Sequence, residues 1–502
     1  MKAHLLHENA DFDFEWGYPP NREDLIQDLG LATVLEAMAD GDSFLFEIAE
    51  RVLLASLADP AAIVYRQRVL ADCVAQPRVV REMYAIAVGA LRDKRGLWGY
   101  SYSSQRPSSI LSAAVSQLEV LVVRLRELRQ VADLHAGKFQ PDGLAAFFRT
   151  LKRELDDDYF EALSRHLREL RFRGGELVSA GLGRDNSGIS YVLRSPPKVR
   201  RGWKERVGIG PRSSYSFTIP PRDEAGAQAL SDITSRGINL VANAAAQSAD
   251  HVSSYFTMLR AELGFYVGCL NLRDRLMAKG EPVTFPAPSA ASSRGFSCSD
   301  LRDAGLALRI EDRAVGNDAD AGGKPLVIIT GANSGGKSTF LRSVGLAQLM
   351  MQCGMFVTAG SFRASVCERV FTHFIREEDR TMSSGRLDEE LGRMSRIADQ
   401  VRPHCLVLFN ESFAATNERE GSEIGRQVVR ALLEADVRVF FVTHQFDFAE
   451  SFRLRHASST LFLRAGRQAD GRRNFKLAAA DPLPTSYGED IYDRIGGWMG
   501  EH

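Results

Sequence analysis

The sequence has 502 residues, 44% hydrophobic and 25% charged, which leaves room for about two to four ordinary domains and excludes a disordered or fibrous chain. Lys and Arg number 63 against 64 Asp and Glu, a formal net charge of -1, so any attraction to nucleic acid needs a local basic face rather than the field of the whole molecule. Six cysteines lie scattered without a CxxC pair, as suits reduced, packed thiols. No apolar run reaches the roughly 18 residues that span a bilayer, and the opening MKAHLLHENADFDFEW is too acidic for a signal peptide, so a cytoplasmic protein without a membrane partner is expected.

From about Leu25 to Leu170 apolar residues recur at three and four, the spacing of packed helices. Leu111, Val115, Leu118, Val122 and Leu125 trace one helix face, suited to a three- or four-helix core. Between Gly174 and Arg222 the composition turns to Gly, Pro, Ser and Arg, with alternating pieces at Ile189 to Leu193 and Tyr215 to Ile219 that suggest a small β element or an ordered arm. Arg194, Lys198, Arg200, Arg201, Lys204, Arg206 and Arg212 cluster there around Trp203, a set able either to track phosphates and stack on a base or to form a solvated basic loop.

Helical texture resumes near Asp223 and runs to about Lys279 without proline, either as one rod of roughly 80 Å or as two helices with a kink. The stretch Glu281 to Asp300, rich in Pro, Ser and Ala, reads as a linker or edge segment. Beyond it Leu326 to Thr330, Leu406 to Phe409 and Val437 to Thr443 are short apolar runs separated by helical stretches, the pattern of buried parallel strands.

The first of these strands leads into Gly331-Ala-Asn-Ser-Gly-Gly336-Lys337-Ser338, a GxxxxGK[ST] loop followed by a helical pattern. Such a loop wraps backbone N–H groups around phosphate oxygens at the positive end of a helix. Gly331, Asn333, Ser334, Gly335, Gly336, Lys337, Ser338 and Thr339 are therefore the expected nucleotide contacts, Lys337 as a point charge and Ser338 as a hydroxyl for Mg²⁺. The second strand ends in Asn410-Glu411, which makes Glu411 the expected general base or water-positioning carboxylate; the third ends in Thr443-His444, which makes His444 the expected contact to the γ-phosphate.

These residues, in this order, resemble the ATPase domain of the MutS family, DNA mismatch-repair and recombination ATPases within the wider ABC-type group. GANSGGKST is close to the family pattern GPNMGGKST, and further matches are Arg369-Val-Phe-Thr372, Ser384-Gly385-Arg386, Asn410 to Thr416, Thr443-His444 and Ser486-Tyr-Gly488. Leu259 to Leu272 resembles the end of the family's lever helix as it enters the ATPase domain, and good matches cover about Ser254 to Gly497.

The resemblance implies an α-helical amino-terminal half, a core or lever-like bundle, followed by an α/β P-loop ATPase domain of ABC type. In these terms residues 1–223 form the helical core with a basic insert at about 174–222, residues 224–280 the lever-like helix and residues 281–502 the ATPase domain. It further implies ATP and Mg²⁺ as cofactors and a homodimer through the ATPase domains, in which Ser384, and beside it Ser383, reaches the partner's γ-phosphate. Structured or branched DNA is the implied substrate, because the family's mismatch-reading amino-terminal domain has no counterpart here. Asn410 stands where the family has an aspartate, so it would meet the metal only through water and hydrolysis is expected to be slow. The alternative is a nucleotide-gated scaffold that turns over little and grips a protein partner; a transporter-coupled ATPase fits the long helical half poorly.

Overall fold

The computed structural model describes residues 2–15, 17–98, 106–139, 143–173, 175–185, 187–194, 216–376, 385–468 and 472–484. The chain divides into two compact units, one of Met1–Ala3, Glu82–Lys138 and Ala145–Arg260, the other of His4–Arg81, Phe139–Leu144 and Ala261–His502.

Helices open the chain: α1 (Arg22–Leu29), α2 (Leu31–Ala39), α3 (Ser43–Leu54), α4 (Pro60–Ala75), α5 (Pro77–Trp98), α6 (Pro107–His135), α7 (Leu144–Glu154) and α8 (Asp157–Glu169). Their starts follow local chemistry. Asp42, Asp59 and Asp156 each accept a backbone N–H at the head of α3, α4 and α8, and Pro60 occupies the first turn of α4.

In the first unit the face of α6 formed by Leu111, Val115, Leu118, Val122 and Leu125 is buried, and Arg124 joins α6 to Asp93 of α5 at 2.6 Å. By length and average composition alone Pro107–Lys138 is apolar enough to cross a bilayer, although interspersed Ser, Gln and Glu leave no continuous apolar run of that length in it. β1 (Val178–Leu182) and β2 (Gly188–Leu193) form an antiparallel hairpin. Helix α9 (Glu224–Ala278) then runs for 55 residues, about 80 Å at 1.5 Å per residue, with Ala261 onward belonging to the second unit.

The second unit begins with a strap of irregular chain tied down by buried polar groups. Glu262 of α9 accepts from Leu5 N at 2.6 Å and Phe12 N at 3.2 Å, and the Tyr266 hydroxyl donates to Leu5 O at 2.5 Å. Arg66 of α4, fully buried, donates to Leu6 O at 3.0 Å and Cys353 O at 3.1 Å.

The α/β part of this unit holds two sheets. β3 (Ala287–Ser289), β4 (Phe296–Leu301), β5 (Asn317–Asp320) and β7 (Ser361–Ser365) form a four-stranded sheet in the order β3-β7-β4-β5, with the short α10 (Ala304–Arg309) after β4. The Pro/Ser-rich stretch from Glu281 thus supplies the edge strand β3 and the inner strand β4, with β7 between them, rather than a linker: Phe296 and Cys298 alternate inward, and Phe296 packs on Phe362 and Phe440.

The larger sheet has β6 (Leu326–Gly331), β8 (Val370–Phe374), β9 (Leu406–Asn410), β10 (Arg438–Val442), β11 (Thr460–Arg467) and β12 (Arg473–Ala479), in the order β12-β11-β6-β10-β9-β8. All neighbours are parallel except β11 and β12. Helices α11 (Lys337–Gln352), α12 (Arg386–Gln400), α13 (Glu418–Glu434) and α14 (Phe446–His456) connect the strands. Alternate residues Ile328, Phe371, Val407, Phe409, Val439 and Phe441 face one core with Met394, Val429 and Phe448 from α12, α13 and α14. The intervening Val327, Ile329, Leu408 and Phe440 are buried too, so the strands read as continuous apolar runs. Each such side chain contributes about 1.5–3 kcal/mol on burial, enough to override the weak local propensities of these short strands.

All six cysteines are buried, and burial pushes their thiols above the ordinary range, Cys298 and Cys353 to about 12.

Candidate functional site

Parallel strands that share a direction also share an end, and here the ends of β6, β9 and β10 lie side by side. Glu411 N donates to Val442 O at 2.9 Å and Thr443 N to Ile329 O at 3.0 Å, so the loops leaving these strands start in register. Beyond Gly331 the chain turns into α11. Gly331 has φ +103°, and a Cβ there would stand 2.7 Å from Ala465 N, so no side chain fits. The first turn of α11 has no side-chain cap, which leaves its N–H groups facing outward.

Lys337, nearly buried, donates its ammonium to Gly331 O at 3.0 Å and Ala332 O at 3.3 Å, and its Nζ lies 3.9 Å from Glu411 Oε1. Burial lowers its pKa, partly opposed by Glu411 and reinforced by Arg473. Arg473 also donates to Asn333 O at 3.1 Å, which adds positive charge beside the loop. The Ser338 hydroxyl lies 2.7 Å from Asn410 Oδ1.

Glu411 is held by His444, whose Nδ1 lies 2.6 Å from Oε2 and whose backbone N donates to the same oxygen at 3.2 Å. Burial disfavours the ionised carboxylate, but the hydrogen bond and charge of His444, with Lys337, outweigh it and hold the Glu411 pKa below its ordinary value. The same hydrogen bond raises the His444 pKa against partial burial. Glu411 and Phe413 both adopt left-handed backbone conformations, φ +54° and +61°, each costing about 1–3 kcal/mol that the surrounding contacts must offset.

The cavity over this edge measures about 920 Å³. Residues 333–339 and Glu411 line its polar side, while Ile310, Val315 and Phe475 form an apolar wall. Asn317 fixes that wall by donating to Phe475 O at 3.1 Å and accepting from Leu477 N at 2.7 Å. Such a cavity suits a ligand with an anionic tail and a flat apolar head.

Gly331, Asn333, Ser334, Gly335, Gly336, Lys337, Ser338, Thr339, Asn410, Glu411 and His444 therefore gather at the carboxyl ends of inner strands of the larger sheet. Ser383, Ser384 and the segment Ser486 to Gly488 lie outside the described residues, as do Lys198, Arg200, Arg201, Lys204, Arg206 and Arg212. Arg194 is described: its Nε donates to Ser179 Oγ at 3.0 Å across the hairpin.

Phe475 and Arg473 escaped sequence reasoning because they lie more than a hundred residues beyond the loop and reach it only through the pairing of β12 with β11, while Asn317 gains its role only from its bonds to Phe475 O and Leu477 N. His373, Ser412 and Glu390, buried behind Glu411, escaped it too. The available signals were that His373 directly follows Arg369-Val-Phe-Thr372 and that Ser412 lies within Asn410 to Thr416.

A helical half joined to a mixed α/β domain, with a glycine-rich loop, a lysine and a glutamate on neighbouring strand tips, defines a recognisable class of protein. The profile described as MutS2 N-terminal domain matches residues 58–279, and that described as MutS domain V matches residues 327–493. The chain belongs to the MutS family. The probable DNA mismatch repair protein Msh6 of Drosophila melanogaster is 35% identical over 128 residues, 26% of this chain and 11% of that protein. Endonuclease MutS2 of Lacticaseibacillus casei is 33% identical over 177 residues, 35% and 22% respectively. DNA mismatch repair protein MutS of Synechococcus elongatus is 28% identical over 212 residues, 39% and 24%. The matched stretches thus span between about a tenth and a quarter of these relatives.

Proposed function

We propose that this chain is a P-loop ATPase that binds ATP with Mg²⁺ and hydrolyses the γ-phosphoryl bond, and that nucleotide-dependent pairing of two ATPase domains controls a helical DNA clamp. One observation carries the reading: Lys337, Ser338 and Glu411 line a single cavity at the uncapped end of α11, and His444 bonds the Glu411 carboxylate from behind it. Membership of the MutS family supports ATP as the nucleotide and DNA as the partner.

The backbone N–H groups of residues 333–339 receive the phosphates. Lys337 exchanges its bonds to Gly331 O and Ala332 O for phosphate oxygens and stabilises the charge that builds on them. Glu411, ionised at neutral pH, takes a hydrogen bond from water and orients it in line, while His444 fixes the carboxylate through Oε2 and leaves Oε1 on the Lys337 side. His444 also donates to the γ-phosphate. Phe475 and Val315 offer the base an apolar face.

Mg²⁺ prefers a few oxygens supplemented by water and phosphate, and Ser338 Oγ beside Asn410 Oδ1 is such a donor set; those two residues would hold the ion, Asn410 through water. When bound, Mg²⁺ supplies positive charge to the phosphate oxygens.

The pairing follows the family's head-to-tail arrangement, with Ser384 reaching the partner's nucleotide, and cytoplasmic DNA of branched structure is the substrate. Arg194, Lys198, Arg200, Arg201, Lys204 and Arg206 are the proposed DNA contacts. A second reading has one observation behind it, the neutral Asn410 at the metal position: a nucleotide-gated scaffold that retains ATP and holds a protein partner. Steady-state hydrolysis with and without four-way DNA, at fixed salt, separates the two. Stimulation by DNA supports the clamp, tight ATP retention with negligible turnover supports the scaffold, and absence of Mg-ATP binding in calorimetry overturns both.

A further inference from the structure

The Glu411 backbone conformation is unfavourable on its own, and the groups that hold it lie in a buried network on the far side of the strand tip. Ser412 Oγ lies 2.7 Å from His373 Nδ1 and 2.6 Å from His373 O, while His373 Nε2 lies 2.9 Å from Glu390 O of α12. A carbonyl only accepts, so Nε2 carries the hydrogen in the neutral ring, and Nδ1 and the carbonyl of His373 then share the single hydroxyl proton of Ser412. Burial, reinforced by Arg393, lowers the ring pKa to about 4 against the Glu390 carbonyl bond, so the ring is neutral at pH 7.

Phe413 is fixed from both sides. Its N–H donates to the Glu390 carboxylate, and its carbonyl accepts from Gln445 Nε2 at 3.1 Å, Gln445 being the residue after His444. The ring of His373 stacks on that of Phe413 with centroids 5.3 Å apart. Glu411 thus stands between Asn410, in the β-ladder, and two residues clamped to β8 and α12. Helix α12 is itself anchored, since Arg393 donates to Phe374 O at 2.6 Å and pairs with Asp28 of α1 at 3.2 Å.

We propose that His373, Ser412 and Glu390 are positioning residues for Glu411, holding its backbone so that the carboxylate meets His444 and the phosphate loop, and that α12 bears on hydrolysis through this clamp. They touch no reacting atom. The inference rests on the hydrolytic reading of Glu411 given above, but its geometric part can be read without turnover. Ser412→Ala removes the shared hydroxyl, Glu390→Ala removes the acceptor for Phe413 N–H, and Glu390→Gln keeps an oxygen there.

The first measurement is the titration of His444 in protein carrying ¹³C-labelled histidine, assigned by its loss in His444→Gln. Glu411, Lys337 and Glu418 are the charged groups that face this ring. The midpoint is expected above its ordinary 6.5 in the unmodified chain and in Glu390→Gln, and closer to 6.5 in Ser412→Ala and Glu390→Ala. The second is ATP hydrolysis, where kcat is expected to fall between about tenfold and a hundredfold in those two variants with KM within about twofold. An unchanged His444 midpoint in both variants, or a Glu390→Gln variant as impaired as Glu390→Ala, overturns the proposal. Should the unmodified chain hydrolyse no ATP, the hydrolytic reading fails on its own, and the His444 midpoint still decides the positioning.

Discussion

Ser338 Oγ and Asn410 Oδ1 meet across 2.7 Å, which ties the first turn of α11 to the last residue of β9 with no formal charge on either partner. A carboxylate in place of the amide adds attraction for a divalent cation, about 2 kcal/mol at about 4 Å even when screened as in bulk water. Asn410→Asp is therefore expected to lower the Mg²⁺ concentration for half-maximal hydrolysis about tenfold and to raise the rate. Titration of turnover with Mg²⁺ checks this, and an unchanged rate and midpoint would mean the amide is not limiting.

Glu411→Gln keeps the size of the side chain but removes its charge and basicity. Hydrolysis is expected to drop by about 10²–10⁴-fold while Mg-ATP binding persists, so the ATP-bound dimer should accumulate in sedimentation experiments. Lys337→Ala, by contrast, should lose nucleotide binding itself. If both variants bind and hydrolyse like the parent, the assignment of the site is wrong.

The Glu411–His444 pair makes a pH window. The raised His444 pKa contributes stability that is complete below its ordinary 6.5 and lost as pH rises through the folded-state value. The depressed Glu411 pKa contributes stability present above its ordinary 4.5 and lost as pH falls through its folded-state value. The difference in melting temperature between the parent and Glu411→Gln should peak between about pH 5 and 6.5 and shrink on either side. It should be small, since His444 is half-exposed and the pair is screened by solvent.

Glu262 works the other way. Burial lifts its pKa from 4.5 to about 7, over the opposing backbone N–H bonds of Leu5, Phe12 and Leu6. An acid that holds its proton more tightly when folded makes stability fall as pH rises from 4.5 to about 7, here by roughly 3 kcal/mol. Urea midpoints at pH 5 and pH 8 should differ for the parent and much less for Glu262→Gln. Equal slopes would mean that the strap accommodates the charge.

At Gly421 a Cβ would stand 2.2 Å from Phe413 O, so Gly421→Ala must displace the carbonyl that Gln445 holds. A loss of about 1–3 kcal/mol in unfolding free energy is expected, with hydrolysis reduced beyond what the lost stability explains. Full activity in a variant of lowered stability would uncouple this loop from the chemistry.

The sequence announces what depends on neighbours along the chain. Helical periodicity marks α6 by its buried face from Leu111 to Leu125, and unbroken apolar runs mark β6, β9 and β10, because strands buried on both faces need no alternation. The glycine-rich loop before α11 is legible because its glycines and Lys337 fall within eight consecutive residues, Gly331 to Ser338. The small sheet is not, since β3 and β4 lie in a Pro/Ser-rich stretch where only pairing with β7 creates a strand. Phe475 and Asn317 acquire meaning only when β12 and β5 meet. His373 and Glu390 look like any buried histidine and helical glutamate until the Ser412 hydroxyl stands between strand and helix.

The sequestered thiols have a practical outcome. With every thiol covered and protonated at neutral pH, maleimides and mild oxidants should leave the cysteines of the folded chain untouched. A single cysteine introduced on an exposed helix face would accept a fluorophore without background, and alkylation of the native six would time the opening of the molecule.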